Sequence, residues 1–516
     1  MRVAPMLLAL LAGLLQACSL AVPFDFFHFV GVAQGQTLWW AQLLAMALLL
    51  HLLLASKDAR QAAWLGWLFA SAWLSATFAW LYTSMHTYGG LPGGLALLAV
   101  LALAGSLALY YAAISWIFRA ITQYRKGFIA ISFASLWLLA ELARGTWLTG
   151  FGWGAIGYAH TDGPLAALFS WIGVYGVTAV AALLAGLLAQ LARSASWGQA
   201  RTSALLTLGV LAVTAWWPGS VSAPDQSFSV QLLQGNIAQE EKFQPHSGIP
   251  AALAWYGTEL ANSSADLVIT PETALAVLPD QLPDGYWQAL TQRFAKGRQA
   301  ALVGVPMGSY ALGYTNSVAG FKAGQSEPWR YDKHHLVPFG EFIPPFFRWF
   351  TDLMHIPLGD FNRGDLPQPS FDWQGQRVAV SICFENLFGE ELATQFKDAD
   401  RSPTVLVNIS NLGWFGQNLA MDQHLQIARA RAMEFGRPFV LATNTGRSAV
   451  VDAQGQITHA LPPHIQTALT AQVQGHIGNT NYAKWVARWG LWPLWLVALG
   501  ILGTRLLTLR LGRLDP

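Results

Sequence analysis

From the N-terminus to about residue 220 the chain is almost continuously apolar, broken only by short polar connections. A membrane-spanning helix needs about 20 mostly apolar residues, because each adds about 1.5 Å across a hydrocarbon core of about 30 Å. That measure predicts seven spans, near 5–22, 36–55, 62–83, 93–117, 127–146, 164–191 and 202–217, and an eighth at 488–507. The seventh ends in Trp216-Trp217-Pro218, a fitting stop at a membrane interface.

Between about 223 and 480 the pattern changes. Short strand-like runs recur at 228–233, 266–270, 301–305, 378–382, 404–410 and 439–443, with helix-length stretches at about 284–297 and 420–436. Continuous apolar strands alternating with helices predict an α/β domain whose sheet is covered on its faces. DAQGQ (452–456), between SAVV and ITHA, reads as a hairpin turn. The chain thus divides into a membrane domain (1–220), a globular domain (221–482) and a closing span with a tail (483–516).

Composition agrees with the spans: 53% of residues are hydrophobic, 11% are charged, and there are 24 tryptophans. A net charge of +2 gives no reason to expect nucleic-acid binding. Lysine and arginine orient the spans. Arg2, Lys57, Arg60, Arg119, Arg125, Lys126, Arg193, Arg201, Arg505, Arg510 and Arg513 fall on one side, whereas the opposite short loops carry Arg144 alone. The positive-inside bias puts both termini in the cytoplasm and the globular domain across the membrane, on the periplasmic face of a bacterial cell. Leu15-Gln16-Ala17-Cys18 resembles a lipoprotein cleavage signal, but the charge alternation and Gln16 favour an uncleaved first span. Glu141 and Arg144 fall on one span, read either as functional or as snorkelling at the outer interface.

Chemistry in α/β folds collects where strands end. Glu272 follows DLVIT, Cys383 ends VAVSIC, and Lys333 follows the strand-like NSVAGF and a turn. Singly, each has an ordinary reading: solvated loop charges and a core cysteine. Compartment changes the weight of Cys383, because a thiol in an oxidising space is a liability and Cys18, the only other cysteine, lies in a span.

TPETA around Glu272, KHHLVPFGEF around Lys333 and SICFEN around Cys383 resemble the Glu-Lys-Cys set of the nitrilase superfamily. With the spans, and with QGNI (234–237), LTGFGW (148–153), NLGWFG (411–416) and NTGRS (444–448), nearly the whole chain resembles the apolipoprotein N-acyltransferase family. The resemblance implies a polytopic helical membrane domain of about eight spans, with an extracytoplasmic αββα sandwich, in the bacterial inner membrane. It implies acyl transfer from the sn-1 position of a phospholipid, phosphatidylethanolamine foremost, through a Cys383 thioester. The acceptor would be the N-terminal amine of a diacylglyceryl-cysteine lipoprotein. Glu272 would be the base, Lys333 the oxyanion donor, and Glu341 a support for either; a base and a cation beside the thiol should raise its thiolate fraction. Glu385 would line the entrance or sit at the surface. Three positions depart from the family pattern: Phe243 stands for a tryptophan, Leu412 for a carboxylate, and Phe384 for a tyrosine.

The stretch 339–361 is unusually aromatic. Phe342, Phe346, Phe347, Trp349 and Phe350 either pack in the sandwich core or contact acyl chains from a loop dipping into the bilayer. Phe243, Phe384 and Trp414 join these as candidate acyl contacts. His424, Arg429, Arg431 and Glu434 share a helix-like stretch and read as structural. His334-His335 lacks a carboxylate or cysteine at metal-ligand spacing, so neither metal nor cofactor is expected. A membrane-tethered amidohydrolase would use the same three residues with water as second nucleophile. A transporter or receptor would instead show repeats or broken polar helices.

Overall fold

The computed structural model describes residues 3–25, 31–122, 128–219, 222–309, 311–344, 361–417 and 419–511. They form two compact units: one comprises Met1–Tyr82, Gly93–Gly219 and Trp489–Pro516, the other Thr83–Pro92 and Ser220–Arg488.

In the first unit a helix stands at each predicted run: α1 (Val3–Leu20), α2 (Trp39–Ala55), α3 (Ala59–Thr77), α4 (Gly93–Thr122), α5 (Ile129–Thr146), α6 (Phe169–Ala192), α7 (Trp197–Ala215) and a closing helix, Trp492–Leu511. Four are long and apolar enough to cross a membrane, or up to six elements if two bent pairs each count as one span. Asp58 caps α3 by accepting from Gln61 N, and Ser196 does the same for α7 from Gln199 N. Leu97, Leu98, Leu101 and Leu109 of α4 point outward. In water these would cost free energy; against lipid they do not. The predicted span at 164–191 starts late, because Gly163-Pro164 is followed by a short tight turn, Ala166–Leu168, before α6 begins.

Glu141 and Arg144 do not snorkel; both are fully buried. Arg144 Nη2 lies 3.2 Å from Glu141 Oε2, its Nε donates to Tyr111 Oη at 2.9 Å, and Tyr111 donates to Glu141 Oε1 at 3.2 Å. Arg144 Nη1 donates to the carbonyls of Phe151 (2.5 Å) and Trp153 (2.8 Å). The segment so held includes Leu148 and Thr149 in left-handed backbone (φ 53° and 75°). Such conformations cost about 1–3 kcal/mol each and persist only where the surroundings over-determine them.

The second unit is a sandwich of two six-stranded sheets. Its strands are β1 (Ala223–Gln234), β2 (Leu267–Ile269), β3 (Ala300–Ser309), β4 (Gly313–Phe321), β5 (Trp329–Asp332), β6 (Phe371–Trp373), β7 (Gln376–Ile382), β8 (Val405–Ser410), β9 (Phe439–Thr443), β10 (Ala449–Val451), β11 (Ile457–Ala460) and β12 (Thr467–Ile477). One sheet runs β12-β1-β2-β3-β4-β5, the other β11-β10-β9-β8-β7-β6. The central pairs β1/β2, β2/β3, β7/β8 and β8/β9 are parallel. Val230, Leu232, Ile269 and Leu302 from the first sheet meet Val380, Ile382, Val407 and Ile409 from the second in one buried core. The outer face of the first sheet is covered by helices α8 (Gly248–Asn262) and α9 (Tyr286–Phe294), through Tyr256, Leu260, Leu290 and Phe294. Helix α10 (Ala420–Phe435), buried along its length, packs on β9 and β10. The result is the αββα order, and the DAQGQ turn joins β10 to β11 as a hairpin.

Candidate active site

Three strand exits converge. Pro271 ends β2 and turns the chain so that Glu272 is followed by Thr273 in left-handed backbone (φ 47°). This turn packs so closely on β3 that a Cβ at Gly304 would lie 2.1 Å from the Pro271 carbonyl oxygen. Lys333 follows β5 directly, its N–H donating to Asn316 O of β4 at 2.8 Å. Cys383 follows β7 and opens a tight helical turn, Cys383–Leu387, with φ at 54°. A non-glycine residue there is strained, and the sharp strand-to-turn bend projects the side chain off the sheet end. Cys383 as a residue is half-buried, packed against the sandwich core.

The three side chains meet. The Glu272 and Lys333 charges both act on the Cys383 thiol. Glu272 Oε1 accepts from Lys333 Nζ at 3.2 Å and from Asn316 Nδ2 at 2.7 Å; its Oε2 accepts from Asn411 N, beyond β8, at 2.8 Å. Glu341 duplicates part of this arrangement. Its Oε1 accepts from Lys333 Nζ at 2.9 Å and from Asn316 Nδ2 at 2.8 Å, and its Oε2 from Val337 N at 2.9 Å.

Charge follows from these contacts. Burial alone would raise the Glu272 carboxyl, but the Lys333 and Lys242 ammoniums, with the Asn316 and Asn411 N–H groups, bring it below its ordinary value. Burial works against the Lys333 charge, and the Glu272 and Glu341 carboxylates outweigh it, holding the ammonium above its usual range. Burial pushes the Cys383 thiol well up, the Glu272 charge adds to this, and Lys333 offsets only part. The expected rise in resting thiolate is therefore not met. These surroundings favour the protonated thiol.

Residues 12–187 match the family described as the apolipoprotein N-acyltransferase N-terminal domain, and residues 230–482 match the carbon-nitrogen hydrolase family. An apolipoprotein N-acyltransferase of Verminephrobacter eiseniae is 52% identical over 94% of this chain and 92% of its own, and one of Ralstonia nicotianae is 43% identical over 92% and 91%. The chain belongs to the apolipoprotein N-acyltransferase family. Among solved structures, a carbon-nitrogen hydrolase from Helicobacter pylori G27 is similar at 17% identity and a TM-score of 0.35, covering 52% of this chain and 94% of that one.

The other predicted positions of this acyltransferase fall around Glu272, Lys333 and Cys383 in different ways. Glu385 is not a surface residue. Its Oε2 accepts from Ile382 N (2.7 Å) and Tyr331 Oη (3.0 Å), and its Oε1 from His334 N (2.7 Å) and His335 N (3.1 Å). It therefore ties the Cys383 turn to the Lys333 loop, and burial raises its carboxyl to about 7. Phe384 is buried against Phe388 and His335. Phe243 and Trp414 are open to the surface, Trp414 lying edge-on to Tyr88 with ring centroids 5.9 Å apart. Phe342 lies under the Arg363 guanidinium. Phe346, Phe347, Trp349 and Phe350 lie outside the described residues. Leu412, in place of a carboxylate, is buried.

Sequence reasoning missed Asn316, whose amide bridges the two carboxylates, although NSVAGF already read as strand-like. It also missed the Gln239, Asn411 and Asn444 chain. Asn411 Nδ2 donates to Gln239 Oε1 at 2.8 Å, and Asn444 Nδ2 donates to Asn411 Oδ1 at 3.1 Å and to Ile237 O at 2.8 Å, joining the QGNI, NLGWFG and NTGRS motifs. A third omission was Lys242, almost fully buried, whose Nζ donates to the Glu272 carbonyl at 2.9 Å.

Proposed function

We propose that this acyltransferase works by two transfers through Cys383, in the bacterial inner membrane, with both termini cytoplasmic and the 221–482 domain periplasmic. The orientation is supported by the lysines and arginines that fall on one side of eight spans, seven of them before residue 220 and one within 483–516. The donor is a phospholipid, phosphatidylethanolamine foremost; the acceptor is a lipoprotein bearing diacylglyceryl-cysteine at its N-terminus.

In the first half-reaction Cys383 Sγ attacks the sn-1 ester carbonyl while Glu272 takes the thiol proton. Lys333, with backbone N–H groups near Cys383, stabilises the oxyanion; such a donor contributes about 3–4 kcal/mol. Collapse breaks the ester C–O bond. The lysophospholipid oxygen leaves with the proton held by Glu272, and the acyl group stays on sulfur. In the second, the free α-amine attacks the thioester, Glu272 takes the amine proton, the C–S bond breaks, and that proton returns to Cys383 as the amide forms. Glu341 and Glu385 hold the lysine and the cysteine turn. Phe243, Phe342, Phe346, Phe347, Trp349, Phe384 and Trp414 are the proposed apolar contacts for acyl chains.

One observation carries this reading: Cys383, at the strained exit of its strand, lies in the field of the Glu272 carboxylate, which itself receives the Lys333 ammonium at 3.2 Å. The discriminating experiment is a chase. Protein acylated with a labelled phospholipid is mixed with a diacylated lipopeptide, and amide-linked label on the peptide is expected. Release of label only as free fatty acid would make the protein a hydrolase and overturn the proposal.

A further inference from the structure

The site holds two carboxylates, Glu272 and Glu341, but the triad supplies only one cation, Lys333. The second cation is Lys242. It lies just past the QGNI stretch, at the end of a short turn in which its N–H donates to Ala238 O. Its side chain is 3% exposed, which is rare for a lysine and costly unless the charge is used. The ammonium spends one hydrogen bond on the Glu272 carbonyl at 2.9 Å. Its other N–H groups have no hydrogen-bond partner among the described residues, and its charge reaches both the Glu272 carboxylate and the Cys383 sulfur. Burial brings this ammonium down to about 8, so the fold gives up lysine basicity to keep it there.

We propose that Lys242 is the positioning residue of the general base: it fixes the Glu272 turn through the main chain, and its charge completes a balance of two carboxylates and two ammoniums. With that balance, moving the proton from Cys383 to Glu272 and building charge on the oxyanion start from a neutral cluster. Without Lys242 the same steps start from a net negative one. Glu272 would then hold its proton more tightly and become a base only at higher pH. The groups facing this carboxylate are Lys333, Lys242 and Cys383, with Glu341 behind Lys333, His424 from α10, and Glu385 from the cysteine turn. Of the two lysines, only Lys242 is free of Glu341.

This inference rests on acylation of Cys383, and its test separates the two. The full-length protein in phospholipid vesicles is followed for acyl-enzyme formation from pH 4 to 9, as wild type, Lys242→Met, Lys242→Gln and Lys242→Arg. The acid limb of the neutral variants should move up by about one pH unit, with about a tenfold lower rate on that limb; Lys242→Arg should stay near the wild-type limb. A structural role alone would lower the rate at every pH and leave the limb in place. A neutral variant whose limb overlays wild type overturns the inference, while acylation of the wild type keeps the mechanism standing. The inference is equally overturned if both neutral variants fail to fold and Lys242→Arg folds with an unmoved profile, since the charge would then serve folding. No acyl group on wild-type Cys383 would instead remove the mechanism itself.

Discussion

Lys333 Nζ lies 2.9 Å from Glu341 Oε1, closer than the 3.2 Å to Glu272 Oε1. The lysine is thus anchored by a second carboxylate, and under the proposed mechanism Glu272 can accept a proton while Glu341 keeps Lys333 in place. Glu341→Gln should preserve the fold and lower the rate of acyl-enzyme formation about a hundredfold, the usual consequence of a misplaced reacting group. Single-turnover kinetics with a labelled phospholipid will read this, and a drop of less than threefold would show that Glu272 alone positions Lys333.

Gly304 is required by distance. A methyl group there meets the Pro271 carbonyl oxygen at 2.1 Å and the Glu272 Cα at 3.0 Å. Gly304→Ala should cost about 1–3 kcal/mol of stability from overpacking and lower acylation further by displacing Glu272. Thermal melting in detergent, measured beside the acylation rate, separates the two effects.

His424 provides a pH dependence of stability. Its Nε2 lies 3.0 Å from Asn386 Nδ2, an amide that donates to it, and burial brings the imidazole down to about 4. The unfolded chain therefore binds a proton between about 4 and the ordinary histidine value near 6.5 while the folded chain does not. Stability contributed by the neutral ring is complete above that window and lost as pH falls through it, at up to about 1.4 kcal/mol per pH unit. Melting temperatures measured from pH 7 to 4 should decline more steeply for wild type than for His424→Gln.

In the membrane unit, Arg144→Met leaves Glu141 buried without its counter-charge and releases the Phe151 and Trp153 carbonyls. The expected loss is about 3–5 kcal/mol, seen as poor accumulation and a lower melting temperature in detergent. The double variant Glu141→Leu with Arg144→Met should recover part of it, because no buried charge then remains.

Much of the molecule was legible because two physical rules act strongly on this chain. Apolar length marks the spans, and apolar runs mark the buried central strands β1, β2, β3, β7, β8 and β9. Helix α8 was missed although Ile249, Leu253, Tyr256 and Leu260 keep helical spacing; Pro250 looks like a breaker but falls in the first turn, where proline is tolerated. Strand β12 was missed because its inward positions are small, Ala471 and Gly475 among them. In the site, the ionisable residues at strand ends could be found by position. Asn316 and Lys242 could not, because their roles depend on which strand neighbours which and on a lysine stem turning inward. From sequence Glu385 could line the entrance or sit at the surface, and the convergence of three backbone N–H groups on it shows that it is buried instead.

The central claim is that Cys383 carries the acyl group. The most direct measurement is mass analysis of the Cys383 peptide after the purified protein is incubated with a phospholipid labelled in its sn-1 chain. A hydroxylamine-sensitive acyl group on that peptide, absent from Cys383→Ser and from Glu272→Gln, is the predicted result. An unmodified Cys383 in protein that still acylates lipopeptide would contradict it.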